Sequence, residues 1–195
     1  MRHGPKPPRT GFTLIEMLVV IAISAILLAV GVPSFSYMVD RNRVAGEVNE
    51  MLADLALTRS EALARRGRVI MCRSTDGATC TGAANDWNSG WIVFVDNPAG
   101  ATAFQRDTGD VIEAVIRSYV RSSPQISIAA APAFGGITVT SDGTVFLLDG
   151  NPLSSLGAGE PLRIDFTGAD NNNRRSLCVA TTGRARTAVT FGTCL

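Results

Sequence analysis

Apolar residues fill the chain almost without a break from Phe12 to Val32, and then the rhythm changes. The first stretch is long enough to cross the hydrocarbon core of a bilayer as a helix. Beyond Pro33 the apolar positions thin to a stripe. Val44, Val48, Met51, Leu52, Leu55 and Ala62 recur at three- and four-residue steps, while Arg43, Glu47, Glu50 and Asp54 fill the other faces. This pattern predicts one helix over about 13–66, on the order of 80 Å long. A kink is expected at Pro33, because proline removes a helical hydrogen bond. Gly67 is the expected stop. The first half is read as membrane-embedded, and the second as packing its stripe against a soluble head.

After Gly67 the period shortens to that of strands. Candidate strands cover 69–72, 91–95, 111–120, 125–129, 137–140, 145–148, 162–166, 176–181 and 185–191. Asp142-Gly143 and Thr182-Gly183 sit where hairpin turns are expected, and Asp170-Asn-Asn-Asn173 reads as a solvated loop rather than a calcium site. The run Trp91–Val95 is expected to alternate between outward and inward positions. No binding role is assigned to Trp87 or Trp91. The fold class expected is α+β, with a long N-terminal helix packed on an antiparallel β-sheet head.

Charge changes this picture only locally. The chain carries 18 basic and 17 acidic residues, so gross charge does not point to nucleic acid. Lys6 is the single lysine, and the residues from Arg163 to Leu195 hold five arginines against two aspartates. Such a basic end can mark an interaction segment. Arg184 and Arg186 are two residues apart, a spacing that puts both guanidinium groups on one face of an extended segment. There they can fork onto phosphates. Arg174 and Arg175 are expected to widen the patch, and Gly183 to permit a turn that projects it. The plainer alternative is a hairpin turn with solvated arginines.

Glu16 is the only ionisable residue of the apolar run. A charge there costs roughly 2.5–3.5 kcal/mol on insertion scales, so a specific neutralising partner is expected. A secretory signal is the bland alternative, but its apolar region is shorter and ends in small residues before the cut. Here the small residue, Gly11, precedes the run, and Arg2, Lys6 and Arg9 precede Gly11. The sequence Gly11-Phe-Thr-Leu-Ile-Glu16, followed by an apolar helix with Pro33 at position 22 after Gly11, resembles the type IV prepilin signature. The resemblance implies a prepilin peptidase that cuts between Gly11 and Phe12 and methylates the new amine. It also implies that Glu16 compensates the N-terminus of a neighbouring subunit in a filament, since each charge is costly alone where water is scarce. Four regions follow: a leader over 1–11, a transmembrane and filament-core helix over 12–33, an amphipathic continuation over 34–66, and a β-rich periplasmic or extracellular head over 67–195. The expected location is the bacterial inner membrane, single-pass with a periplasmic head, and then a pilus on the cell surface.

A second block narrows the family. Arg59-Ser-Glu-Ala62, Val69-Ile-Met-Cys-Arg-Ser74, Asp76-Gly77, Cys80, Trp87 and Gly90-Trp-Ile-Val-Phe-Val-Asp96 stand in an order that resembles the GspH/FimT group of minor pilins and pseudopilins. Within that group, Gly183-Arg-Ala-Arg186 resembles the GRxR motif of FimT-type minor pilins, which bind DNA during uptake for natural transformation. The partners this implies are other pilins, the prepilin peptidase, the inner membrane before assembly, and DNA held without sequence preference. Two rivals stand beside it: a structural minor pilin for pilus initiation, and a GspH-type pseudopilin of a type II secretion system.

A head outside the inner membrane lies where disulfides persist. The cysteines form two local pairs, Cys72 with Cys80 and Cys178 with Cys194. These pairings are favoured among the three arithmetically open ones, since closing a loop of about 15 residues is worth about 3 kcal/mol. A four-cysteine zinc site lacks its usual CxxC spacing, and free buried cysteines are a further alternative. No metal or cofactor is expected. Nor is catalysis: the single histidine, His3, lies in the leader, which removes a histidine-based relay from the processed chain.

Overall fold

The computed structural model describes residues 11–81, 87–100, 106–121, 125–148, 161–169, 171–188 and 190–194, with Pro33 and Ser34 as main chain only. The leader ahead of Gly11 lies outside these residues. The dominant element is one helix, α1 (Leu14–Arg65). Thr13 caps it. The Glu16 N–H donates to Thr13 Oγ1 at 3.3 Å, which satisfies one donor of the open first turn, and the Met17 N–H makes the first helical bond to the Thr13 carbonyl at 3.3 Å. The other end closes one residue before the expected stop. Arg66 takes the left-handed conformation (φ 51°), its N–H donating to Leu63 O, while the Gly67 N–H reaches back to Ala62 O. These two bonds make a Schellman closure with arginine in the position glycine usually takes.

The chain divides into two compact units, one up to Val39 and the other from Asp40 onward. In the first, the helix exposes mostly apolar side chains on all sides; Leu14 is 80% exposed and Ile26 67%. The most apolar window of α1 has a mean hydropathy of 2.7, and none of it is buried within the chain. A helix with no polar face needs lipid or other chains around it. Ser24 suits that setting, because its hydroxyl donates to the Val20 carbonyl at 2.8 Å and leaves no open donor.

The second unit combines residues 40–65 of α1 with nine strands among the described residues: β1 (Arg68–Arg73), β2 (Gly90–Asp96), β3 (Val115–Val120), β4 (Ser127–Ala131), β5 (Gly136–Val139), β6 (Val145–Leu147), β7 (Leu162–Thr167), β8 (Arg174–Val179) and β9 (Ala185–Thr187). They form two antiparallel sheets, ordered β3-β2-β1-β5-β6 and β4-β7-β8-β9. A backbone bond from Val145 N to Thr181 O (3.0 Å) joins β6 to the turn between β8 and β9. The main core lies where α1 meets both sheets. Val44, Val48, Met51, Leu55 and Ala62 supply the helical side, and Met71, Trp91, Val93, Ile128, Ile164, Phe166 and Leu177 are among the strand residues that meet them. The α+β architecture expected from the change of period is the one observed.

Four local expectations are corrected. The run Trp91–Val95 does not alternate between core and solvent: β2 is buried throughout. Trp91 and Val93 face the main core, while Ile92 and Phe94 join Ile70 and Cys72 in a second cluster on the other face of the sheet. Asp54, read as a surface charge, is 3% exposed, because it lies over Trp91 rather than on a solvated face. β3 starts at Val115 rather than at Val111. Asp110 Oδ1 accepts the Ile112 N–H and the Asp110 N–H donates to Asp107 O, so local turns hold residues 107–112 out of the sheet, and Val111 is 95% exposed. β9 ends at Thr187, because the tail then folds back toward Cys178.

Candidate nucleic-acid interface

β8 and β9 form a hairpin whose turn is built by Gly183. The Gly183 N–H donates to Ala180 O (2.8 Å) and the Ala180 N–H to Arg184 O (2.9 Å). Gly183 has φ +74°, and a Cβ there would stand 2.9 Å from the Gly143 carbonyl oxygen. Backbone conformation and the close approach of the β5–β6 turn both call for glycine. Expected hairpin turns at Asp142-Gly143 and Thr182-Gly183 are thus both present, and they touch each other.

β9 is an edge strand with Arg184 and Arg186 on either side of Ala185. Ala185 packs against the main core, so strand alternation turns the two arginines to the other face. Both are exposed. Arg186 stands opposite Cys178 in the ladder. The pair predicted from a two-residue spacing is therefore brought together on one face.

The upstream arginines behave differently. Arg174 shares the face of Cys178 by strand parity, but Arg175 stands opposite the core residue Phe166 and so has the opposite parity. They do not widen the patch as a pair. Arg174 Nε donates to Asn171 O at 2.7 Å, and its guanidinium lies 5.5 Å from the centre of the Phe191 ring. Arg163, counted in the basic tail, is engaged by Asp165 (3.0 Å) and by the Gly192 carbonyl. Asp165 accepts the Ser176 hydroxyl, and Ser176 Oγ accepts the Gly192 N–H at 2.9 Å. These bonds and the Cys178–Cys194 disulfide fasten residues 192–194 across the outer face of β7 and β8. The other disulfide, Cys72–Cys80, lies beside the second hydrophobic cluster.

Two grooves meet at Arg184. One, of about 550 Å³, is lined by Pro161, Cys178, Thr182, Arg184, Arg186 and Cys194. The other, of about 510 Å³, lies between the hairpin turn and α1, with Leu52, Ala56, Arg59, Leu63 and Arg184 on its walls. Arg59 was legible in sequence only as part of the block that closes the helix. Its nearness to the hairpin is a tertiary fact.

At the other end of the chain, Gly11 and Phe12 are exposed. Glu16 occupies the third position of α1, in its first turn. Among the described residues, no cluster of three His, Cys, Asp or Glu side chains is placed to hold a metal ion. Asp142 sits in its turn with Oδ1 accepting from the Thr140 hydroxyl (2.6 Å) and Thr144 N–H (3.0 Å), and Oδ2 from the Thr144 hydroxyl (2.8 Å). These bonds, the Thr140 one first, lower its pKa to about 2.

Comparison with known proteins places this geometry in a family. A family model described as Type II transport protein GspH matches residues 47–183, and one described as Prokaryotic N-terminal methylation motif matches residues 6–32. Similar solved structures include two crystal forms of the type IV minor pilin FimU from Pseudomonas aeruginosa (strain PAO1). The form in space group P21 is 19% identical, with a TM-score of 0.51 over 76% of this chain and 90% of that one. The P65 form is 18% identical, with a TM-score of 0.49 over 74% and 91%. At 19% identity the likeness to the P21 form speaks to fold alone. With most of its length matched by the GspH model and the methylation motif ahead of it, this chain belongs to the GspH family and is a minor pilin or pseudopilin.

Proposed function

We propose that this chain is a FimT-like minor pilin that joins a type IV pilus and holds DNA without sequence preference during natural transformation. A prepilin peptidase cuts between Gly11 and Phe12, the new amine is methylated, and Glu16 meets the N-terminus of a neighbouring subunit. Before assembly the chain sits in the inner membrane with its head in the periplasm. The helix over 12–33 then becomes filament core, and the head carries Arg184 and Arg186 outward. The observation that carries the DNA reading is the pair itself: two exposed arginines on one face of an edge strand, turned away from the core by Ala185. An arginine fork matches phosphate geometry, and backbone contacts of this kind carry no sequence information.

The test is binding of the full chain, in neutral detergent, to duplexes of unrelated sequence over a salt series. Two neutralised phosphates give a slope of log affinity on log salt of about −1.8. Arg184→Gln with Arg186→Gln is expected to flatten the slope by about 1.8; unchanged binding removes both residues from the site. A pseudopilin of a type II secretion system is the second reading, favoured by the description of the matching family model. It predicts no DNA affinity, and assembly with other pseudopilins instead.

A further inference from the structure

Arg59 has a stem packed on one glycine turn and a head beside another. A Cβ on Gly183 would stand 3.5 Å from Arg59 Cδ, and one on Gly143 would stand 3.4 Å from Arg59 Nη2. The two turns lack side chains where the arginine lies against them. No carboxylate among the described residues pairs with its guanidinium. On α1 the positions one turn away, Leu55, Ala56, Ala62 and Leu63, are apolar. The nearby Asp142 carboxylate is occupied by Thr140 and Thr144. A half-buried arginine with its stem fixed and no described carboxylate beside its charge loses little further freedom on meeting an anion.

The partner follows from its neighbours. Arg59 and Arg184 stand on the same groove, whose other walls include Leu52, Ala56, Leu63 and Ala185. Arg186 lies in β9, two residues past Arg184, on the adjoining groove. Arg184 thus lines both the groove that holds Arg59 and the one that holds Arg186, which links helix and edge strand through one side chain. A lone carboxylate would answer one of the three arginines; a polyanion with regularly spaced charges answers all of them. We infer that Arg59 is a third phosphate contact of the DNA interface, reaching it from α1 across the Gly143 and Gly183 turns. This rests on the reading of Arg184 and Arg186 as DNA-binding. It extends the site from a tail motif to a surface that exists only when the helix and both turns are assembled.

The experiment measures the salt dependence of duplex binding by the full chain in neutral detergent. Arg59→Met keeps an apolar stem over the turns and removes the charge; Arg59→Lys keeps a charge. Arg65→Met is the control for a general loss of charge on the same helix. Arg59→Met is expected to flatten the slope by about 0.9, one phosphate contact, with an unchanged melting temperature. Arg59→Lys and Arg65→Met are expected to leave the slope as it was. If Arg184→Gln with Arg186→Gln flattens the slope but Arg59→Met changes neither slope nor affinity, the inference fails and the tail motif stands. An equal loss in Arg59→Met and Arg65→Met also overturns it, as a non-specific charge effect. If the tail variants bind normally, the underlying reading fails and the inference with it.

Discussion

The indole Nε1–H of Trp91 donates to Oδ2 of Asp54 at 2.7 Å, joining α1 to β2 of the five-stranded sheet. Arg117 Nε lies 3.4 Å from Oδ1 of the same carboxylate, and the Trp91 ring stacks on Tyr119 with centroids 4.4 Å apart. A charged residue on the buried side of a helix is tolerated because it has a donor on each oxygen. Asp54→Ala leaves the buried indole N–H without an acceptor, at a cost of about 1–3 kcal/mol. Asp54→Asn keeps an acceptor and is expected to cost less. Thermal unfolding of the two variants beside the wild type checks the order; equal losses would mean that the indole bond contributes nothing.

Two aspartates pull stability in opposite directions with pH. Burial raises the pKa of Asp54 above its ordinary 3.8, against the opposing Trp91 bond and the Arg117 charge. Its folded state binds the proton more tightly than its unfolded state. Its contribution is greatest below 3.8 and declines as pH rises from there through the folded pKa. Asp142 is the reverse. Its pKa is lowered to about 2, so its contribution is present above 3.8 and is lost as pH falls toward 2. Denaturant melts between pH 2 and 7 should show a flatter upper limb for Asp54→Asn and a flatter acid limb for Asp142→Asn. A wild-type profile reproduced by both variants removes these residues as its cause.

The tail is held by chemistry outside β9. With Cys178 bonded to Cys194 and the Gly192 N–H on Ser176 Oγ, residues 192–194 stay on the sheet. Opening a loop of about 15 residues costs about 3 kcal/mol in the chain-entropy model. For a chain of this size that is a fall of several degrees in melting temperature. Cys194→Ser is expected to show that fall and faster hydrogen exchange at the Gly192 amide. Protection of Gly192 that survives the substitution would assign the fastening to Ser176 and Arg163 alone.

Glu16 sits in the first turn of α1, where its main-chain N–H is already satisfied by Thr13. A carboxylate in that turn favours the helix N-terminus by about 0.3–1 kcal/mol, too little to decide whether so apolar a helix enters a membrane. Glu16→Ala is therefore expected to insert normally and to fail in filament incorporation. Membrane fractionation and subunit content of purified pili separate the two steps, and normal incorporation would reject the role for Glu16.

The sequence by itself determined the two halves of this protein. An apolar run with no polar face has one physical outcome, a helix covered by lipid or other chains, and the later three-and-four spacing of Val44, Val48, Met51 and Leu55 announces a core stripe. The switch to short β-rich runs between Gly, Asn and Asp turns announced the strands, because turn chemistry is local. The adjacency of Arg184 and Arg186 was legible for the same reason, as strand alternation needs no knowledge of the fold. Tertiary structure alone decided the rest. Asp54 looks like a surface charge until Trp91, 37 residues away, supplies its donor. Arg163 looks like part of a basic tail until Asp165 and the Gly192 carbonyl, 29 residues away, engage it. Arg59 looks like one more helical charge until the Gly143 and Gly183 turns close around it. These are pairings between distant segments, fixed by how sheets and helix share one core, and no local periodicity encodes them.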